Sequence, residues 1–155
     1  KLNRKVEVLQ DYEIISKDFG KIQFMKAEDS FINDKETLDF IRKLGDKIQD
    51  GCHEISFYLI EKYEIFKAVT SICKKGIDNS YYHSFILDDE NNVIDFTANL
   101  IMPKEQYYLL QEVNELNCIN YKEYLEEKDN SIKFDESKTL YNLLRNAIYK
   151  QYLEE

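Results

Sequence analysis

Cys52 stands between Asp50-Gly51 and His53-Glu54, where a polar helical stretch gives way to an apolar one. A cysteine in the first turn of a helix has the positive end of the helix dipole and first-turn backbone N–H groups beside it, and both favour the thiolate. Downstream, Tyr82-His83-Ser84-Phe85 offers an imidazole and Val93-Ile94-Asp95-Phe96-Thr97 a carboxylate. In that order they suit nucleophilic attack on a carbonyl. Cys52 attacks as thiolate, His83 takes the thiol proton and passes it to a leaving amine, and Asp95 orients the imidazole and stabilises its cation. The Cys52 N–H, at the helix start, would be one oxyanion donor.

Each residue also has a plain structural reading. A cysteine on an apolar helix face is commonly a small buried hydrophobe, His83 would serve as a satisfied strand histidine, and Asp95 as a strand-end carboxylate. His53 is the rival base, but a neighbour on a helix points roughly 100° away from Cys52. Cys52, His53 and His83 together suggest a metal, yet the chain has only two histidines and no second cysteine at ligand spacing. A metal is therefore not expected. The acidic run Asp88 to Glu90 lacks the glycine and alternating ligands of a calcium loop and reads as a solvated turn.

With 155 residues the chain is expected to form a single domain over 1–155. It is 43% hydrophobic and 14% aromatic with only 4 Gly and 1 Pro, which excludes a linker or a disordered tail. The net charge of −9 and the scattered lysines and arginines argue against nucleic acid or anionic membrane as partners. A peptide or protein substrate, or a small molecule, fits better. Three cysteines with no C-x-x-C pair point to reduced thiols. No run approaches a membrane span and Lys1 to Gln10 lacks a signal-peptide core, so the expected location is cytoplasmic.

Several elements must position the three residues. Residues 6–33 suit short strands or an irregular arm. Asn33 or Asp34 can cap a helix over 35–49, with Leu38, Ile41, Leu44 and Ile48 as its stripe, and Gly51 permits a sharp turn. A second helix, 52–63, places Cys52, Ile55, Ser56, Leu59 and Tyr63 on one face. A strand at 65–73 precedes a β-hairpin of 81–88 and 93–98, whose apolar residues on both alternating sets imply a sheet covered on both faces. Pro103 opens a helix from Met102 to Asn114 with Tyr107, Leu110 and Val113 inward. A strand near 116–119, a helix near 121–128, an exposed loop at 129–131 and a helix over 136–153 complete the chain.

The hairpin register decides whether His83 can meet Asp95. An even-length loop pairs His83 with Ala98 and sends Asp95 to the far face. An odd-length loop pairs His83 with Thr97 and Phe85 with Asp95, so that His83 and Asp95 become diagonal neighbours on one face. Asp88-Asp89-Glu90-Asn91-Asn92 favours the odd loop, a type I turn followed by a left-handed residue, because Asn tolerates positive φ.

Gly51-Cys52, His83-Ser84-Phe85 and Asp95-Phe96-Thr97, in this order across about residues 45–103, resemble the transglutaminase-like branch of the papain-like cysteine-enzyme superfamily. The resemblance implies an α+β fold in which the Cys-bearing helix packs on an antiparallel sheet, with helices at the C-terminus. It also implies cysteine-dependent acyl transfer on amides or thioesters, with no metal and no organic cofactor, by a peptidase, amidase or transglutaminase-like enzyme, through a Cys52, His83, Asp95 triad. Phe85 stands where a Trp is frequent, and Asp46 where papain-like enzymes place a Gln oxyanion donor; Gln49 lies too near in the chain to replace it. The alternatives are an inactive member of the fold that binds proteins, and a small-molecule acyltransferase akin to the arylamine-acetylating branch.

Overall fold

The centre of the molecule is the run of β-branched and aromatic residues from Lys67 to Leu87, two strands that pair along their whole length. The computed structural model of the protein describes residues 13–16, 20–45, 51–75 and 79–126. In chain order these form β1 (Glu13–Ser16), β2 (Gly20–Gln23), α1 (Ala27–Ser30), α2 (Lys35–Gly45) and α3 (Cys52–Lys62). They continue as β3 (Lys67–Lys75), β4 (Asn79–Leu87), β5 (Asn92–Asp95), β6 (Leu100–Pro103), α4 (Lys104–Leu110) and β7 (Asn114–Asn120), after which residues 121–126 are helical. β1 and β2 make a separate antiparallel pair. The other five strands form one antiparallel sheet in the order β6-β5-β4-β3-β7. The class is mixed α+β.

Strand alternation sends the apolar residues to two cores. Ala68, Ile86, Ile94, Ile101 and Ile119 meet Ile55, Leu59 and Ile60 of α3 on one face. Val69, Phe85, Leu87, Val93 and Met102 meet Tyr107 of α4 on the other. Both faces are covered, as the apolar residues in both alternating sets of the hairpin require. Leu59 and Ile60 are fully enclosed, and each contributes about 1.5–3 kcal/mol of burial.

α2 begins at the expected cap. Asp34 accepts the Thr37 N–H at 3.1 Å and the Thr37 hydroxyl at 2.6 Å, satisfying donors that the first turn leaves without helical partners. Lys62, at the last position of α3, reaches the same carboxylate at 2.8 Å and ties the end of α3 to the start of α2. Phe40 of α2 stacks on Tyr58 of α3 with ring centroids 4.1 Å apart.

Gly51 starts α3 in the left-handed region at φ 45°, and a Cβ there would stand 3.0 Å from Leu44 Cδ2. Gly51→Ala is therefore expected to destabilise the fold by about 1–2 kcal/mol, measured by urea unfolding, through left-handed strain at the residue that sets the position of Cys52.

Some boundaries differ from the sequence-based expectation. Met102 lies in β6, paired with Val93, and the helix starts only at Lys104, with Pro103 as its cap residue. Leu100, Ile101 and Met102 find ladder partners on β5, and a proline closing an edge strand removes no ladder bond from a central one. α4 ends at Leu110, and Glu112 takes φ 46° before β7 begins at Asn114. β3 runs on to Lys75, β4 begins earlier, at Asn79, and β5 ends at Asp95, because residues 96–99 turn with Asn99 at φ 52°. The 46–49 end of the first expected helix, the loop at 129–131 and the helix at 136–153 lie outside the described residues. Among the described residues no helix is long and apolar enough to cross a membrane.

Candidate active site

The hairpin between β4 and β5 has the odd register. Ile86 pairs with Ile94 and Leu87 with Val93, so Phe85 and Asp95 fall on one face together with His83. The turn chemistry accounts for it. Asn91 adopts φ 59°, its N–H bonds to the Asp88 carbonyl at 3.3 Å, and the Asp88 N–H bonds to the Asn92 carbonyl at 3.0 Å. The Asp88 carboxylate then accepts the N–H groups of Glu90 and Asn92, both at 2.9 Å, which holds the tight loop from inside. The ladder between β4 and β5 consists of those two pairs, because β5 turns away after Asp95.

His83 Nε2 lies 2.8 Å from Asp95 Oδ2, with both side chains buried. Asp95 is held from every side. Oδ2 also accepts the Tyr107 hydroxyl at 2.6 Å, and Oδ1 accepts the Thr97 N–H at 3.0 Å, the Thr97 hydroxyl at 2.7 Å and the Ala98 N–H at 3.2 Å. Burial alone would raise the carboxyl, but the charge and hydrogen bond of His83, with those of Tyr107 and Thr97, pull it down to about 2. It is an anion whose Oδ2 fixes the imidazole: Nε2–H donates to Asp95, which leaves Nδ1 as the nitrogen that faces other partners.

That partner is Cys52. Burial would raise its thiol, yet hydrogen bonding and charge from both His53 and His83 bring it down from 9.0 to about 6. Reciprocally, burial would lower the His83 imidazole, and the Asp95 charge and hydrogen bond, with the bond to Cys52, raise it well above 6.5. At neutral pH these shifts describe a thiolate and imidazolium pair set beside a fixed carboxylate. His83 shares a sheet face with Phe85 and Tyr107, whereas α3 packs on the opposite face. Cys52 nonetheless hydrogen-bonds with His83, and it lies with Asp95 and Thr97 where β5 leaves β4. A small cavity there is lined from both faces, by Cys52, Ser56, Ser84, Phe85, Asp95 and Thr97 among others. It measures about 10 Å³, and Cys52 is only 4% exposed.

Two residues take parts that the sequence-based reading did not assign. Tyr107, expected only in an apolar helix stripe, is 1% exposed and gives its hydroxyl to Asp95. The signal was a tyrosine in a buried stripe, since an enclosed hydroxyl needs a partner. Tyr107→Phe keeps the ring and removes that bond to a charged acceptor, so it is expected to cost about 1.5–3 kcal/mol in urea unfolding with little change in near-ultraviolet dichroism. His53, expected to point away, is 1% exposed and lies beside Cys52, its Nδ1 2.6 Å from Ser84 Oγ. The rotation of about 100° between helix neighbours does not expose it, because Cys52, His53, Ile55, Ser56, Leu59 and Ile60 give α3 a buried arc wide enough for both.

Among the described residues no group of three histidine, cysteine, aspartate or glutamate side chains is arranged to hold a metal ion. Asp46, which stands in the place of the Gln oxyanion donor, and Gln49 lie outside the described residues. No family model matches the chain, and neither does any curated protein or any solved structure.

Proposed function

We propose that the protein is a cysteine-dependent acyl-transfer enzyme of the transglutaminase-like kind, acting on a peptide or side-chain amide through Cys52, His83 and Asp95. One observation carries this reading: the low-lying Cys52 thiol is coupled to a histidine whose far nitrogen is held at 2.8 Å by a fully satisfied carboxylate. In the reaction the thiol proton resides on His83 Nδ1 and the thiolate attacks the carbonyl carbon, whose π electrons move to oxygen. The tetrahedral species collapses with cleavage of the C–N bond, and His83 gives its proton to the departing amine. Water or a second amine then attacks the thioester carbonyl and loses its proton to His83. The C–S bond breaks to release the acid or amide, and Cys52 and His83 are left sharing that one proton as before. Asp95 keeps the tautomer right throughout and offsets the imidazolium charge.

The test is mass spectrometry of the protein after incubation with a panel of glutamine-containing peptides, peptide amides and an acyl thioester, with and without a primary amine. An acyl adduct on Cys52, absent from Cys52→Ala and discharged by water or amine, is the expected result. Absence of any Cys52 adduct across the panel, with the fold intact, contradicts the reading.

A second reading is favoured by the small size, about 10 Å³, of the cavity at Cys52. It makes the protein a non-catalytic, protein-binding member of the same fold, in which the three residues hold the helix to the hairpin. That reading expects no adduct, and a loss of stability on replacing Cys52 as large as that on replacing any well-packed core residue.

A further inference from the structure

His53 is a buried titratable group that the proposed reaction does not use. It follows Cys52 on α3, and its Nδ1 is 2.6 Å from Ser84 Oγ on β4. Ser84 Oγ lies 3.5 Å from Thr70 Oγ1 on β3, and all three side chains are buried. Buried hydroxyls beside an imidazole must share out their protons, and that sharing sets the tautomer of the ring. An imidazole next to a thiolate lowers its energy only if it presents an N–H to it.

We infer that Thr70, Ser84 and His53 form a directed chain of donors that ends on the Cys52 sulfur, making His53 a positioning residue that holds the thiolate while His83 carries the proton to the leaving group. Thr70 donates to Ser84 Oγ, Ser84 donates to His53 Nδ1, and the imidazole turns its Nε2–H toward the sulfur. No proton is transferred along this chain, and the thiol proton remains on His83. The inference rests on Cys52 being the working thiol of the proposed reaction. Of the effects that lower the thiol, the hydrogen bond between His53 and Cys52 is the one this chain directs. The titratable groups acting on the sulfur are His53 on its own helix and His83 on β4, backed by Asp95 on β5. Tyr81 on β4, whose hydroxyl is raised to about 12 first by burial and then by the charges of Cys73, Asp95 and Cys52, stays neutral throughout this range.

The test is a pH titration of the Cys52 thiolate by its ultraviolet absorbance, taken as the difference from Cys52→Ala, in Ser84→Ala, Ser84→Thr and His53→Leu. Ser84→Ala is expected to raise the midpoint by about one pH unit, the effect of losing a properly aimed donor to a charged group, and Ser84→Thr to restore it. His53→Leu is expected to raise it at least as far. Nitrogen-15 spectra of the histidines in the unmodified protein should show His53 as the Nε2–H tautomer. An unchanged midpoint in folded Ser84→Ala, or an Nδ1–H tautomer at His53, overturns the inference even if His53→Leu fails to fold. If the midpoint shifts as stated but Cys52 is never acylated, the donor chain stands and the proposed acyl transfer falls. If Cys52 turns over substrate while the midpoint ignores Ser84→Ala, the reverse holds.

Discussion

In His83→Ala the Cys52 thiol is expected to titrate well above its position of about 6, back toward 9.0, and acyl transfer at neutral pH is expected to fall by about 10³–10⁴-fold. The substitution removes one of the two imidazoles that oppose the effect of burial on the thiol, and with it the group that protonates the leaving amine. Asp95 still accepts from Tyr107, Thr97 and Ala98, so the fold should survive. Steady-state rates and thiol titration, measured together, separate this outcome from simple unfolding. In the unmodified protein kcat/KM should rise with pH as Cys52 loses its proton near 6, and fall again only well above 6.5, where the raised His83 loses its own.

Replacing Asp95 with Asn should damage both stability and rate. An amide in place of the carboxylate turns one oxygen from acceptor to donor, facing either His83 and Tyr107 or Thr97 and Ala98, and leaves buried donors without an acceptor. A loss of about 3–5 kcal/mol in urea unfolding is expected, as for other buried charge pairs broken on one side, together with a loss of rate of about 10⁴-fold from misdirected imidazole. The pH dependence has a definite sign. The folded carboxyl is held at about 2 against its ordinary 3.8, so its contribution to stability is fully present above 3.8 and is lost as pH falls toward 2. Asp95→Asn should lack that part of the acid transition.

The candidate site was legible wherever local chemistry determines geometry. Asp88 and Asn91 carry the turn chemistry of the odd hairpin within five residues, and the pairing of Ile86 with Ile94 follows from it. The meeting of His83 with Asp95 follows in turn. Gly51 and the stripe of α3 were legible for the same reason, since cap and periodicity are local signals. β6 was not, because three apolar residues before a proline read equally well as the lead into a helix until β5 lies beside them. The work of Tyr107 and His53 was hidden for a different reason. A hydroxyl in a helix stripe and a histidine next to a cysteine take their partners from β5 and β4, and nothing in their own sequence neighbourhood names Asp95 or Ser84.

Everything proposed for the site depends on Cys52 being an activated thiol rather than a buried hydrophobe. The most direct test is the pH dependence of its thiolate absorbance in the unmodified protein, with Cys52→Ala as the reference so that Cys73 and Cys118 cancel. A single transition centred near 6 is the predicted result. A thiol that stays protonated until pH approaches its ordinary value of 9.0 would contradict the account and leave Cys52 as a packed side chain at the edge of the hairpin.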